Sequence, residues 1–334
     1  MKQLLLTLTY LLLMATSPQL AWGELCTQWS KSDKLGTLRS DQLLEASGVV
    51  ASTNFFKRLY HINDRGNEPS LFISTIKGKR IKQIGLNRIS AIDFEDLTMA
   101  SCSDEAYIVI GDIGDNHRRR NSISIHLVKE KEKFRRSVAV AKSIKLSYPN
   151  GRHDAEGIAS HPDGNIYLLT KSRTLSSIYR INREIWQQHF KACQTDHSVS
   201  IQNSSGSNQL EHIANIDLVA LSAGKRIAHL GGHYGSDDAQ EKGELATSFD
   251  ISPDGKNFLI MTYDSIIEFN FDLSVDTIPS TAALKKGRDF HYIDFKRLVH
   301  QESVAYLPSG RSIIYTTESR NGIHAPIMGI HCLK

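Results

Sequence analysis

Beyond its first residues the chain has no apolar stretch approaching the ~18 residues needed to cross a bilayer as a helix, which excludes an internal membrane span. It contains no G-x-S-x-G elbow, H-E-x-x-H pair, Walker loop or Rossmann glycine pattern, so the commonest hydrolase and nucleotide-binding mechanisms have no support. Cysteine is scarce, with four in 334 residues and no C-x-x-C spacing, which argues against a zinc site. Neither sign of charge dominates: 40 Lys and Arg stand against 36 Asp and Glu, and the basic residues are not interleaved with aromatics. Nucleic acid is therefore excluded as a partner. The clusters Arg118 to Arg120 and Lys129 to Arg136 read as solvated loop or hairpin surface. Helical periodicity is confined to Asn182 to Ala192.

What is present begins with a leader. Lys2 precedes an apolar run from Leu4 to Met14, and Ala21-Trp22-Gly23 places small residues at −3 and −1 of a cleavage site. Residues 1–23 read as a signal peptide and residues 24–334 as one exported domain, periplasmic or secreted, with a monomer expected. Cys26, Cys102, Cys193 and Cys332 all follow the cleavage site, an even number in an oxidising compartment, which favours two disulfides. Three pairings are open. Joining Cys26 to Cys332 would tie the two mature ends together, leaving Cys102 for Cys193.

Strand signals dominate the rest. Runs such as Tyr107 to Ile110, Ile123 to Val128, Ile166 to Thr170, Phe258 to Thr262 and Ser312 to Thr316 are separated by Gly, Asp, Asn and Pro turns, the pattern of an all-β chain. Five segments share one plan: "ASGVVASTNFFKRLYHIND", "FEDLTMASCSDEAYIVIGD", "AEGIASHPDGNIYLLTKS", "SFDISPDGKNFLIMTYD" and "ESVAYLPSGRSIIYTTES". Each has a small or acidic start, a short strand, a polar turn, and a second strand ending on polar residues. Their starts fall roughly fifty to sixty residues apart, except for a gap of about ninety that includes "HIANIDLVALSAGKRIAHL". That period predicts a β-propeller of four-stranded antiparallel blades, six if the gap hides a degenerate unit and five otherwise.

Superposed, the repeats align Ser47, Glu95, Glu156, Phe249 and Glu302 at the start of the first strand, and Asn63 with Asp64, Asp112, Lys171, Tyr263 and Glu318 at the end of the second. Singly, each acid has an ordinary role in a turn. Their recurrence suggests convergence on the propeller axis, where several carboxylates raise one another's pKa unless a cation neutralises them. Calcium, which takes about 6–8 oxygen ligands, is the expected cofactor. The candidate ligands are Asp64, Glu95, Asp96, Asp112, Glu156, Glu302 and Glu318. Lys171 is the protein's own counter-charge and a candidate catalytic group, with His61 or His153 as general base.

The ordered motifs "EASGVVAS", "LYHINDRGN", "DFEDL", "YIVIGDIGDN", "YPNGRHDAEGI", "LLTKS", "SFDISPDGKNFLIMTYD" and "ESVAYLPSG" resemble secreted bacterial β-propellers of largely unassigned function, loosely related to the esterase-like phytase propellers. The resemblance spans about Glu45 to Glu318 and implies the propeller fold and export. It also implies calcium-bridged carboxylates drawn from Asp64, Asp93, Glu95, Asp96, Asp112, Asp115, Asp154, Glu156 and Glu302. Ser47 and Phe249 depart from that acidic pattern. The expected function is a calcium-dependent hydrolase of a phosphoester, ester or lactone; the alternative is a non-catalytic propeller that binds a glycan, peptide or protein on its rim.

Overall fold

Continuous apolar runs four to six residues long need cover on both faces, which a single antiparallel sheet with one wet side does not provide. The computed structural model, which describes residues 26–193, 208–222, 244–319 and 322–334, supplies it by stacking five sheets face to face around an axis. Strand β1 (Asp33–Thr37) comes first in the chain. Blade one is β2 (Ala46–Ala51), β3 (Arg58–Asn63), β4 (Ser70–Thr75) and β5 (Lys82–Asn87). Blade two is β6 (Phe94–Cys102), β7 (Glu105–Asp112), β8 (Ile123–Lys129) and β10 (Lys142–Leu146); between the last two, β9 (Ser137–Ala139) pairs in parallel with β5 of blade one. Blade three is β11 (Ala155–Ser160), β12 (Ile166–Thr170), β13 (Ser176–Ile181) and β14 (Glu211–Ile216), and blade four is β15 (Ala246–Ile251), β16 (Phe258–Thr262), β17 (Ile266–Phe269) and β18 (Phe290–Ile293). Blade five is β19 (Gln301–Tyr306), β20 (Ser312–Thr317) and β21 (Pro326–His331), completed on its outer edge by β1.

The inner strands β2, β6, β11, β15 and β19 touch in that order, and β19 returns to β2, so the ring closes at five blades. The chain's earliest strand thus finishes its last blade, and Cys26–Cys332 joins the same two ends; Cys102–Cys193 is the second disulfide. Both bonds fit an oxidising compartment. The leader expected over residues 1–23 lies outside the described residues. Of the long interval read as room for a sixth unit, Glu211–Ile216 is the outer strand of blade three and Leu218–Ser222 a short helix, while 223–243 lie outside the described residues. The helix expected over 182–192 is five residues, Arg183–Gln187, followed by a single tight turn at Lys191–Cys193. Among the described residues no helix is long and apolar enough to cross a membrane.

One apolar cluster fills each gap between blades. Val49, Leu59 and Phe72 of blade one meet Leu38, Ala305, Ile314 and Ile327 across the closing seam. Ile123, Ile125 and Leu127 of blade two meet Ile158, Leu168 and Trp186 of blade three. Nearer the axis the strands approach too closely for large side chains: a Cβ at Gly157 would lie 2.4 Å from that of Phe249. There the blades are joined by short polar side chains accepting from the next strand's backbone. Asp96 Oδ2 takes the Ile158 N–H at 3.4 Å, Thr98 Oγ1 that of Ser160 at 3.0 Å, Ser248 Oγ that of Val304 at 3.1 Å, and Asp250 Oδ2 that of Tyr306 at 2.7 Å.

Candidate metal centre

Every inner strand carries a register shift at its second residue, between Ala46 and Gly48, Phe94 and Asp96, Ala155 and Gly157, Ala246 and Ser248, and Gln301 and Ser303. A β-bulge leaves the extra residue out of the ladder and re-aims its side chain. The residues so displayed are Ser47, Glu95, Glu156, Thr247 and Glu302. Thr247, not Phe249, is therefore the blade-four equivalent; Phe249 is buried core between blades three and four. "ATS" shares the small-residue frame of "ASG", and without an acid it gives no sequence signal of the site.

Asp112 stands one position earlier than its sequence-aligned counterparts. Opposite Ala46, Phe94, Ala155, Ala246 and Gln301 stand Asn63, Asp112, Thr170, Thr262 and Thr317. Asp64, Lys171, Tyr263 and Glu318 each come one residue later, at the position Ile113 fills in blade two. A one-residue difference in a strand turns a side chain to the other face. Asp112 accordingly pairs with Arg120 Nη1 at 2.9 Å, accepts the Asp93 N–H at 3.0 Å, and faces His126 at 3.6 Å. Burial alone would raise its pKa, but His126, Arg120 and the amide hold it below the usual carboxylate range. Arg120 and the Asp93 amide thus already engage its oxygens. Asp96 is likewise spoken for by Leu97 N–H, Ile158 N–H and Ser248 Oγ.

The carboxylates that do converge are Asp64, Asp93 and Glu95 in one group and Glu95, Asp154 and Glu156 in a second, each group offering oxygens within 4.8 Å of one another. Asp93 and Asp154 occupy equivalent positions immediately before the inner strands of blades two and three. Glu95 belongs to both groups, and Gly114 makes room for it: a Cβ there would sit 2.1 Å from Glu95 Oε1 and 2.6 Å from Asp93 Cγ. Asp93 Oδ1 is buried without a hydrogen-bond partner. Burial, then Asp64 and Asp154, pushes the Asp93 carboxyl up to about 6. Burial, then Glu156, Asp64 and Asp93, raises Glu95 well above its ordinary value. Glu156 is pushed up to about 7 by burial, with Asp154 and Asp64 opposing the lowering effect of Lys171. Burial also raises Asp64 and Asp154.

Lys171 closes the far side, with Nζ at 2.9 Å from Glu156 Oε1 and 3.3 Å from Tyr263 Oη. Burial would lower its pKa, yet Glu156, Tyr263 and Glu302 raise it, so it stays charged. Glu302 is buried at the same end, raised by burial and by Glu156, and Glu318 lies within electrostatic reach of it. Of the predicted bases, His61 is fully buried, with Nε2 at 2.9 Å from Ser74 Oγ and its pKa pushed down to about 3 by burial. His153 turns outward to Asn150 and Tyr179 at 3.1 and 3.0 Å. Neither belongs to the cluster. Another imidazole at this end is His300, whose ring centre is 6.0 Å from that of Tyr263. It sits just before β19, where Asp93 and Asp154 sit in their blades. Leu44, Ile92, Leu175 and Val299, all exposed, lie on the loops at the same end.

The all-oxygen donor set, the unpartnered Asp93 Oδ1 and the space held open by Gly114 fit a hard cation such as calcium better than zinc.

No family model matches the chain, and no curated protein matches it. Similar solved structures include the major Malassezia sympodialis allergen Mala s 1, with 12% identity and a TM-score of 0.44 over 87% of this chain and 80% of that one. A chain of a nidogen/laminin complex gives 12% and 0.40, over 82% of this chain and 73% of that one. A catalytically inactive virginiamycin B lyase from Staphylococcus aureus, with quinupristin, gives 12% and 0.42, over 91% and 99%. At these values the likenesses carry no argument about activity.

Proposed function

We propose that the acid-rich channel mouth is a calcium centre and that this exported propeller uses it to hydrolyse a phosphoester, ester or lactone. The observation that carries the reading is Glu95, one carboxylate common to two groups of acids whose oxygens lie within 4.8 Å of one another. Such crowding is costly without a positive charge, and Lys171 already divides itself among Glu156, Glu302 and Tyr263. Asp64, Asp93, Glu95, Asp154 and Glu156 are the residues that would hold the ion, which supplies charge neutralisation and a polarised water when bound. Lys171 stays protonated and faces the same mouth, so its ammonium is the group that holds an anionic oxygen of the substrate. Tyr263 fixes the ammonium from the other side. His300, whose ring centre is 6.0 Å from that of Tyr263, is the imidazole we assign to proton transfer in place of His61 and His153.

A second reading has its own support in Leu44, Ile92, Leu175 and Val299, an exposed apolar set on the loops around the mouth. It suits a peptide, protein or glycan that the cation-braced rim binds without turning it over.

Calcium titration followed by thermal melting, then assay of a phosphoester, ester and lactone panel with wild type and Glu95→Gln, tests the proposal. The expected result is calcium-dependent melting and turnover, both lost in Glu95→Gln. Calcium-independent melting with no turnover would overturn the calcium centre and the hydrolase together. Calcium-dependent melting without turnover across the panel would leave the binding reading standing.

A further inference from the structure

The end of blade one away from the acid mouth carries the opposite chemistry. Residues 52–58, 76–82 and 129–136 hold eleven Lys or Arg and two Glu, so these three segments alone carry more positive charge than the formal +4 of the whole chain. They are remote in sequence, and the fold unites them. Ile76 N–H donates to Lys57 O at 2.9 Å, and the Arg58 guanidinium donates to Lys131 O and Glu132 O, each at 2.8 Å. The Lys82 ammonium reaches Phe134 O. Pairing of β9 with β5 fastens the third segment, which belongs to blade two, onto blade one.

The acids there do little to cancel this charge. Glu130 is buried and accepts from Ser52 Oγ, Asn54 Nδ2 and Tyr60 Oη at 2.6, 2.8 and 2.8 Å. Glu132 is the one exposed acid of the three segments, and Glu105, just outside them, pairs with Lys129. On the same surface, at the tip of the turn between β2 and β3, Phe56 is 88% exposed with the Lys57 ammonium 4.6 Å from its ring centre. It is the most exposed large apolar side chain among the described residues. A cavity of about 430 Å³ opens on the third segment, lined by Lys131, Lys133, Phe134, Arg135 and residues of β9.

We propose that this face docks on an anionic lipid surface, with Lys57, Lys79, Arg80, Lys131, Lys133 and Arg135 against headgroup phosphates and Phe56 inserted at the interface. A polybasic patch gains affinity from the surface potential of acidic lipids, and a neighbouring aromatic adds the apolar contact that makes binding stable. A single-stranded nucleic acid would instead need a platform of several aromatics for successive bases, and only one is exposed here. Because β2 runs from the mouth toward this face, docking leaves the acid-rich mouth at the end turned away from the bilayer.

The test is co-sedimentation of the disulfide-bonded protein with vesicles of phosphatidylglycerol and phosphatidylcholine against vesicles of phosphatidylcholine alone. Binding is expected only to the anionic vesicles and to fall steeply with added salt. The triple variant Lys57→Glu, Lys79→Glu, Lys131→Glu should lose on the order of a hundredfold in partitioning. Phe56→Ser should weaken binding with the same melting temperature as wild type, which separates lost docking from lost folding. No binding to anionic vesicles at low salt, or equal binding by the triple variant, would overturn the proposal. So would binding to heparin that Phe56→Ser leaves unchanged without vesicle binding, which would make the face a polyanion site.

Discussion

Glu95 and Asp96 are neighbours on β6, yet their carboxylates meet different surroundings. The bulge sends Glu95 to the mouth, among Asp64, Asp93, Asp154 and Glu156. Asp96 points down the channel, where two backbone N–H groups and the Ser248 hydroxyl share its oxygens. Asp250 on β15 repeats the second pattern with the amides of Ile251 and Tyr306. Burial raises the pKa of all three, so titration alone does not separate the two sets. What separates them is the supply of donors. Acids provided with donors join blades, and acids crowded with other acids create a demand for a cation.

Truncating one acid of each kind is the largest way to break the comparison. Asp96→Ala leaves buried amides of blades two and three unpaired and should cost about 3 kcal/mol in urea unfolding, while calcium still raises the melting temperature. Glu95→Gln should do the reverse, stabilising the calcium-free protein by relieving repulsion and abolishing the calcium shift. At a hundredfold excess over Kd that lost shift is about 2.7 kcal/mol. Should Asp96→Ala abolish the calcium response instead, the division into two sets is wrong.

Acidity sharpens the same contrast. Glu156 and Asp93 are pushed up to about 7 and about 6, and Asp250 to about 7. An acid with a raised folded pKa holds its proton more tightly in the folded chain. Its contribution is full below the unfolded value, near 4, and is lost as pH rises through the folded one. Calcium-free protein should therefore lose stability between about pH 4 and 7, at a slope near 1.4 kcal/mol per pH unit for each proton involved. Calcium should flatten the share due to the mouth and leave that of Asp250, which Asp250→Asn removes. A chelator-treated sample that is most stable at neutral pH would contradict the crowding.

The smallest effect is expected at Ser47, the blade-one equivalent of Glu95, whose hydroxyl donates to Glu95 O at 2.6 Å. Ser47→Ala should cost about 1 kcal/mol with the calcium response intact. A lost response would show that the bulge backbone, and not only its acids, shapes the centre.

The propeller was legible because the second strand of each blade is covered on both faces and so reads as an uninterrupted apolar run, as in Ile166–Thr170 and Phe258–Thr262. The blade count was less so, since a long excursion within blade three and the approach to blade four mimics a missing repeat. At the mouth, Glu95, Glu156 and Glu302 stood out as acids in a recurring small-residue frame. Asp112 misled because one residue of register cannot be read from a turn-bounded segment, and that residue decides which face a side chain takes. In "DFED" three acids compete for notice, and only the fold shows that Asp93 and Glu95 face the mouth while Asp96 does not. His300 carried no signal beyond its place one residue before Gln301.

Blade five borrows β1, the first strand of the chain, and Cys26 must find Cys332 across a separation of 306 residues. Closing the ring therefore needs both ends of the described chain. The fifth blade is the one that needs residues from both ends, and its seam with blade one is lined by Leu38, Phe72 and Ile327. Loop closure over such a span is slow, so a chain interrupted before Pro326 holds an unpaired first strand and a one-sided sheet. The closing strand and the closing disulfide thus act on the same two chain ends.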